Sequence, residues 1–303
     1  KRLTAAEHMK EMRLLSESLD RLALLHPKLI DLGLERTYKL LKKAGNPHQN
    51  LPPIFHIAGT NGKGSVSAYL FSITKQLGLK THCYTSPHLC RFNERIRIAN
   101  NLIDDEALLR VLDKVEKLNE NTPITFYEIT TVAAFIAFAK IPADLLILET
   151  GLGGRLDSTN VIKNPLASII TPIARDHEHF LGSELTQIAG EKAGIIKKNV
   201  PVISASQTNE VEKTLSKKAR EMDAPIFFEG TDFTWEQTST GEVKLECKNR
   251  VFKLPKPSLI GPHQIQNAAL AATSIIYSGN FTPLEDRLFS GIEFAEWPGR
   301  VQF

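Results

Sequence analysis

Along this chain, short apolar runs rich in β-branched residues alternate with stretches whose apolar positions recur at helical spacing. The runs "PPIFHIAG", "KTHCYTS", "DLLILET", "LASIIT" and "VPVISA" predict strands, and segments such as "GSVSAYLFSITKQLG" between them predict helices. This alternation predicts an α/β fold, an open and mostly parallel sheet with helices on both faces. Upstream, "EHMKEMRLLSESLDRLALL" and "LGLERTYKLLKKAG" predict amphipathic helices separated by "HPKLID". Further on, "FTWEQTSTGEVKLECKNRVFKL" alternates like a hairpin turning near Thr240 and Gly241, an antiparallel flap on the main sheet. The stretch "GPHQIQNAALAATSIIYSG" predicts a helix ended by Gly279.

Composition narrows the class. A chain of 303 residues can bury a substantial core in one large domain, or in one domain plus an appendage. Basic residues number 37 against 34 acidic, a formal net charge of +3, so nothing demands a nucleic-acid partner and any polyanion is held locally. Cys83, Cys90 and Cys247 form no C-x-x-C pair, which suggests neither a disulfide framework nor a zinc site and fits a cytoplasmic protein, expected here as a monomer. The longest unbroken apolar stretch, Val132 to Ala139, falls far short of the ~20 residues of a membrane span. The charged N-terminus does not read as a signal peptide, so no membrane partner is expected.

The stretch "HIAGTNGKGSVSAYL" carries the first chemistry. It departs twice from the usual phosphate loop: Ile57 stands where the first glycine belongs, and Gly64 separates Lys63 from Ser65. Gly59, Gly62 and Gly64 nevertheless permit a tight turn with backbone N–H groups pointing inward, ahead of a helix whose dipole adds positive charge. Lys63 would meet the β- and γ-phosphates, and the Ser65 hydroxyl suits Mg²⁺. A glycine-rich turn with an exposed lysine is the plainer alternative.

"GTNGKGS" resembles the nucleotide loop of folylpolyglutamate synthases and dihydrofolate synthases, relatives of the Mur ligases. The same family is resembled, in order, by "YTSPHLCRFNERIRI", "TFYEITTVAAF", "LETGLGGRLDSTN", "DHEHFLGSELTQIAGEKAGIIK", "GPHQIQNAA" and "WPGR", from about Leu24 to the last residue. The resemblance implies that Gly59, Thr60, Asn61, Gly62, Lys63, Gly64 and Ser65 hold ATP, with Asn267 toward the base and Arg300 toward the phosphates. It implies a Mur-ligase-like ATP-binding domain over 1–297, with N-terminal helices to about 45 and the flap at about 230–255. Residues 298–303 would open a linker to a C-terminal α/β domain that is absent from this chain.

Ser86, Glu149 and His177 each close or follow a predicted strand and so fall near the carboxyl edge of the sheet. Together they suit Mg²⁺; singly they read as a turn residue before Pro87, a capping or salt-bridging carboxylate, and a surface histidine. The resemblance assigns the serine and glutamate to one Mg²⁺ and the glutamate and histidine to a second. Lys192, beside Glu191 in "GEKAGIIK", reads alone as a solvated salt-bridge partner, whereas the resemblance implies carbamylation by CO₂, which requires a lowered amine pKa. Lys63, His177, Lys192 and Arg300 are thus the candidate catalytic residues. For a folate or dihydropteroate substrate the candidates are Asp31, Leu32 and Gly33, then Thr125, Phe126, Tyr127 and Glu128, and Arg155. Phe126 and Tyr127 suit stacking on a flat heterocycle, though an aromatic pair opening so apolar a helix also suits core. The implied activity is ATP-dependent joining of L-glutamate to a folate-type carboxylate through an acyl phosphate. A P-loop kinase or NTPase of another class, and a non-catalytic ATP-binding module, are the alternatives.

Overall fold

The computed structural model describes residues 5–279 and 288–297. Helices α1 (Ala5–Ala23) and α2 (Glu35–Lys43) precede β1 (Ile54–Ala58), which passes through the glycine loop into α3 (Lys63–Gln76) and returns as β2 (Thr81–Tyr84). Two short strands, β3 (Ile96–Ile98) and β4 (Asn101–Leu102), lead to α4 (Asp105–Asn119), α5 (Phe126–Lys140), β5 (Leu145–Glu149) and β6 (Ala167–Ile170). The chain continues through α6 (Glu178–Leu181), α7 (Leu185–Ala193), β7 (Val202–Ser204), α8 (Asn209–Glu221) and β8 (Ile226–Phe228). It ends with β9 (Phe233–Gln237), β10 (Val243–Cys247), β11 (Arg250–Leu254) and α9 (His263–Ser278).

The expected mixed but mainly parallel sheet is present, with strand order β4-β3-β2-β5-β1-β6-β7-β8. Pairing is parallel from β2 to β8 and antiparallel where β3 and β4 extend the edge. The apolar runs follow from burial on both faces. On β5, Leu145 and Ile147 enter the core shared with α3 and α9, while Leu146 and Leu148 enter the opposite core with α4 and α5. A third cluster joins Ile188 of α7 and Leu215 of α8 to Val202 of β7. Among the described residues no helix is long and apolar enough to cross a membrane.

The flap departs from expectation. It is a separate three-stranded sheet, ordered β11-β10-β9, whose inward residues Phe233, Leu245 and Phe252 join the core around α9. Its first turn is the expected one, with Gly241 donating to the Thr238 carbonyl at 3.0 Å. The second turn falls at Lys248 and Asn249, both left-handed, as a two-residue hairpin connection of the right twist requires. Helix α9 does end at Gly279, also left-handed.

This topology positions the site. Strand β1 lies at the centre between β5 and β6, so the loops after β1, β2, β5 and β6 converge at one carboxyl edge.

Candidate active site

The glycine loop is clamped from β6. Gly59 has φ near +145°, and a Cβ there would come within 2.9 Å of the Thr171 carbonyl oxygen, so only glycine permits this approach. The N–H groups of Thr60 and Asn61 donate to the Pro172 carbonyl at 3.0 and 3.2 Å, and the Thr60 hydroxyl donates to the Ala174 carbonyl at 3.0 Å. These two loop N–H groups are therefore spent on the scaffold, unlike the inward-pointing array expected from sequence. The N–H groups not bonded to that scaffold lie instead in the first turn of α3. Its ladder opens with Val66 N–H to the Gly62 carbonyl, and the N–H groups of Lys63, Gly64 and Ser65 precede it. Gly62, left-handed and without a side chain to cap that turn, sits directly against the Asn267 amide.

Two lysines converge on this loop. Lys63 Nζ donates to the carbonyls of Gly59 at 3.0 Å and Thr60 at 3.4 Å, and Lys192 Nζ donates to the Gly59 carbonyl at 2.9 Å. Lys192 is buried on α7. Burial, with repulsion from Lys63, pulls its ammonium down to about 7, against the opposing pull of Asp176 and Asp157. The surface-lysine reading of Lys192 is excluded by this geometry; its neighbour Glu191 is the residue that makes an outer ion pair, with Arg155 at 2.8 Å.

Ser65 is buried and its hydroxyl accepts from Gln264 Nε2 at 3.1 Å, while Gln264 Oε1 accepts from Asn267 at 3.1 Å. Gln264 thus joins the two candidate nucleotide residues from opposite ends of the chain, a link with no signal in the sequence. Arg300 lies outside the described residues.

A groove of about 340 Å³ runs from the loop past Lys63, Ser86 and Glu149 to Trp297. Glu149 is buried at the end of β5, and the Ser86 N–H approaches its carboxylate at 3.4 Å from the neighbouring strand β2. His177 lies on the loop after β6. It begins α6 with a left-handed backbone, its side chain is half exposed and 3.5 Å from its neighbour Asp176, and it faces a second cavity. Among the described residues no three His, Cys, Asp or Glu side chains gather to cage a metal. Trp297 was not singled out by sequence; its ring packs on Gly64 so closely that a Cβ there would come within 2.6 Å.

The second cavity, about 400 Å³, shares Ser86 and Pro87 with the groove. Asp31, Leu32, Gly33, Thr125, Phe126, Tyr127 and Glu128, the residues suggested for the substrate, all line it; Arg155 does not, its side chain pairing with Glu191. The Glu128 carboxylate is already committed. It caps α5 by accepting from Thr125 N–H at 2.8 Å and accepts from Arg36 Nε at 2.9 Å. The T-x-x-E spacing of "TFYE" is a capping box, a signal available in the sequence. The Tyr127 hydroxyl is buried and without a hydrogen-bond partner, and burial together with the Asp157 charge raises its phenol well above the ordinary range.

Asp157 is a further residue that sequence reasoning passed over. It accepts from the N–H groups of Gly151 and Leu152, both at 2.9 Å, from Thr159 N–H at 3.0 Å and from the Thr159 hydroxyl at 2.5 Å. It therefore fixes the glycine-rich wall of the cavity. The Asp-x-Thr turn signal in "LDSTN" was legible.

Comparison with known proteins places the fold in a family. The family model described as the Mur ligase middle domain matches residues 57–275. The dihydrofolate synthase/folylpolyglutamate synthase of Bacillus subtilis is 37% identical over 284 residues, covering 89% of this chain and 66% of the relative. Escherichia coli FolC in complex with DHPP and ADP superposes with a TM-score of 0.87 at 32% identity, over 95% of this chain and 67% of that one. A bifunctional folylpolyglutamate synthase/dihydrofolate synthase with Mn, AMPPNP and L-glutamate bound gives a TM-score of 0.84 at 31% identity, over 95% of this chain and 68% of that one. The chain thus spans about two thirds of the length of the relatives it matches. On the matched motifs and the shared fold, it belongs to the folylpolyglutamate synthase/dihydrofolate synthase family of Mur ligases.

Proposed function

We propose that this chain carries the nucleotide and acceptor sites of an ATP-dependent ligase that joins L-glutamate to a folate-type carboxylate, dihydropteroate or tetrahydrofolate. The observation that carries this reading is the shared Ser86–Pro87 wall: the groove beside the glycine loop and Lys63 on one side and an apolar, aromatic cavity on the other. A flat heterocycle seated beside Phe126 and Tyr127 would bring its carboxylate to that wall, where the end of ATP's phosphate chain would lie. The carboxylate oxygen attacks the γ-phosphorus, ADP departs, and the resulting acyl phosphate is opened by the glutamate amine, which loses a proton as inorganic phosphate leaves.

In this reading Lys63 and the first-turn N–H groups of α3 bind the phosphates, and Asn267 faces the base. Arg300 would add positive charge at the phosphates. Mg²⁺, when bound, would neutralise the phosphates; Ser86 and Glu149 are its nearest candidate ligands, with His177 for a second ion. Lys192 as a carbamate would supply an anionic oxygen ligand beside Gly59. The relatives' bound ADP, AMPPNP, Mn and glutamate support the ligand set. We further infer one ATP-binding unit over 1–297, a monomer, working in the cytoplasm.

The test is phosphate release from Mg-ATP with dihydropteroate or tetrahydrofolate as acceptor, with and without L-glutamate. Release that depends on both acceptor and glutamate supports a ligase. Nucleotide hydrolysis indifferent to both would favour an NTPase, and nucleotide binding without hydrolysis a non-catalytic module.

A further inference from the structure

Between the two cavities runs the segment 86–95, and its construction is rigid. The Glu94 carboxylate accepts from the N–H groups of Leu89, Cys90 and Arg91 at 2.7, 2.9 and 2.7 Å. Asn93 Nδ2 donates to Asp105 at 2.8 Å, tying the segment to α4. On this frame His88 faces the phosphate groove and Arg95 faces the apolar cavity. Arg95 Nε donates to His88 Nδ1 at 2.8 Å, and the guanidinium lies 5.1 Å from the centroid of the buried Phe92 ring. A guanidinium only donates, so His88 Nδ1 accepts and the neutral ring carries its proton on Nε2.

The charges on the cavity wall are otherwise committed. Asp31 and Glu128 both pair with Arg36 at 2.9 Å, and the Asp157 oxygens receive backbone N–H groups and the Thr159 hydroxyl. Arg95 is different: only its Nε is engaged, and among the described residues its two Nη groups have no hydrogen-bond partner. Tyr127 lines the same cavity, its hydroxyl buried and without a hydrogen-bond partner among the described residues. A largely apolar cavity whose uncommitted charge is a guanidinium suits an apolar ligand ending in an anion, with the Ser86 and Ser158 hydroxyls and His177 as further polar groups on the wall.

We propose that Arg95, held in place by His88 and Phe92, is the residue that binds the acceptor's carboxylate and aims it through the Ser86–Pro87 wall at the phosphate groove. This rests on the acceptor site assigned above. Arg95 acts by charge and orientation, and His88 is a positioning residue that fixes the guanidinium.

The test is equilibrium binding to this chain of pteroate and 2-naphthoate, each against its primary amide, by calorimetry. The parent should bind each acid at least about tenfold more tightly than its amide, as a charge-assisted hydrogen bond in an apolar site provides. Arg95→Gln and Arg95→Ala should abolish that preference, lowering affinity for the acid far more than for the amide; Arg95→Lys should retain part of the preference, and His88→Ala should reduce it. Retention of the full preference in Arg95→Gln, with its fold verified by circular dichroism, overturns the proposal, as does a parent that binds neither acid or shows no preference. If naphthoate alone shows the Arg95-dependent preference, the carboxylate site stands and the folate reading falls. If pteroate keeps its preference without Arg95, the folate reading stands and the assignment of Arg95 falls.

Discussion

Lys192 and Lys63 donate to one and the same carbonyl oxygen, that of Gly59, at 2.9 and 3.0 Å. Two ammonium groups on one neutral acceptor repel, and the buried partner yields, so Lys192 is drawn down to about 7 by burial and then by Lys63. Between about pH 7 and the ordinary lysine range the unfolded chain binds a proton that the folded chain does not, so this group's effect on stability improves as pH rises through that window. The neutral amine is also the form that adds CO₂. With ¹³C-bicarbonate, a carbamate resonance should grow as pH is raised from about 6 to 8 and be missing from Lys192→Arg. A parent spectrum with no such resonance across that range would remove the carbamate from the proposed site.

Lys63 sits at the mouth of the groove, partly exposed; when it is removed the Gly59 carbonyl keeps Lys192 as donor, and only the long contact to the Thr60 carbonyl, 3.4 Å, is lost. Lys63→Ala should therefore weaken Mg-ATP binding by at least about tenfold, the scale of a charge-assisted contact, with little change in melting temperature. Equal nucleotide affinity in parent and variant would show the lysine to be a loop brace only.

Much of this site was legible from local chemistry. The all-apolar strands marked a sheet covered on both faces, and glycines at strand ends marked the carboxyl edge where Gly59, Ser86 and Glu149 meet. Residues whose roles depend on long-range partners were not legible: Gln264 reaches Ser65 across 199 positions, and Trp297 reaches Gly64 from the far end. The ion pair of Arg155 with Glu191, across 36 positions, likewise had no local signal. The capping box that engages the Glu128 carboxylate, by contrast, was written in the sequence as T-x-x-E.

Trp297 bears on the nucleotide loop directly, because its ring occupies the space a Gly64 side chain would need. Gly64→Ala must push the ring away or shift the first turn of α3, the turn whose N–H groups face the groove. In a Trp235→Phe background, which leaves one tryptophan of the 2, Gly64→Ala should red-shift the remaining emission and lower nucleotide affinity at least about tenfold. An unshifted spectrum with normal affinity would mean that the loop and ring tolerate the methyl group, contrary to the packing described.

His56 supplies a prediction on acid stability that reaches the acceptor cavity. It is fully buried on β1, and its Nε2 lies 2.9 Å from the Thr159 hydroxyl oxygen, which itself donates to Asp157. The hydroxyl proton is thereby spent, so His56 donates from Nε2, and Nδ1 is the deprotonated nitrogen, buried without a partner. Burial, reinforced by Lys197, lowers the imidazole to about 3. The folded value lies below the unfolded value of about 6.5, so the unfolded chain binds more protons in that interval. Stability from keeping His56 neutral is complete above about pH 6.5 and is lost as pH falls toward 3, at up to about 1.4 kcal/mol per pH unit. His56→Gln keeps a donor for Thr159 and does not titrate. The urea-unfolding free energies of parent and variant should therefore converge as pH falls from about 7 to 4. Curves that stay parallel would show that His56 does not govern the acid limb. Since the same Asp157 that anchors this chain also holds Gly151 and Leu152, acid should loosen the cavity wall first, and acceptor affinity should fall before nucleotide affinity does.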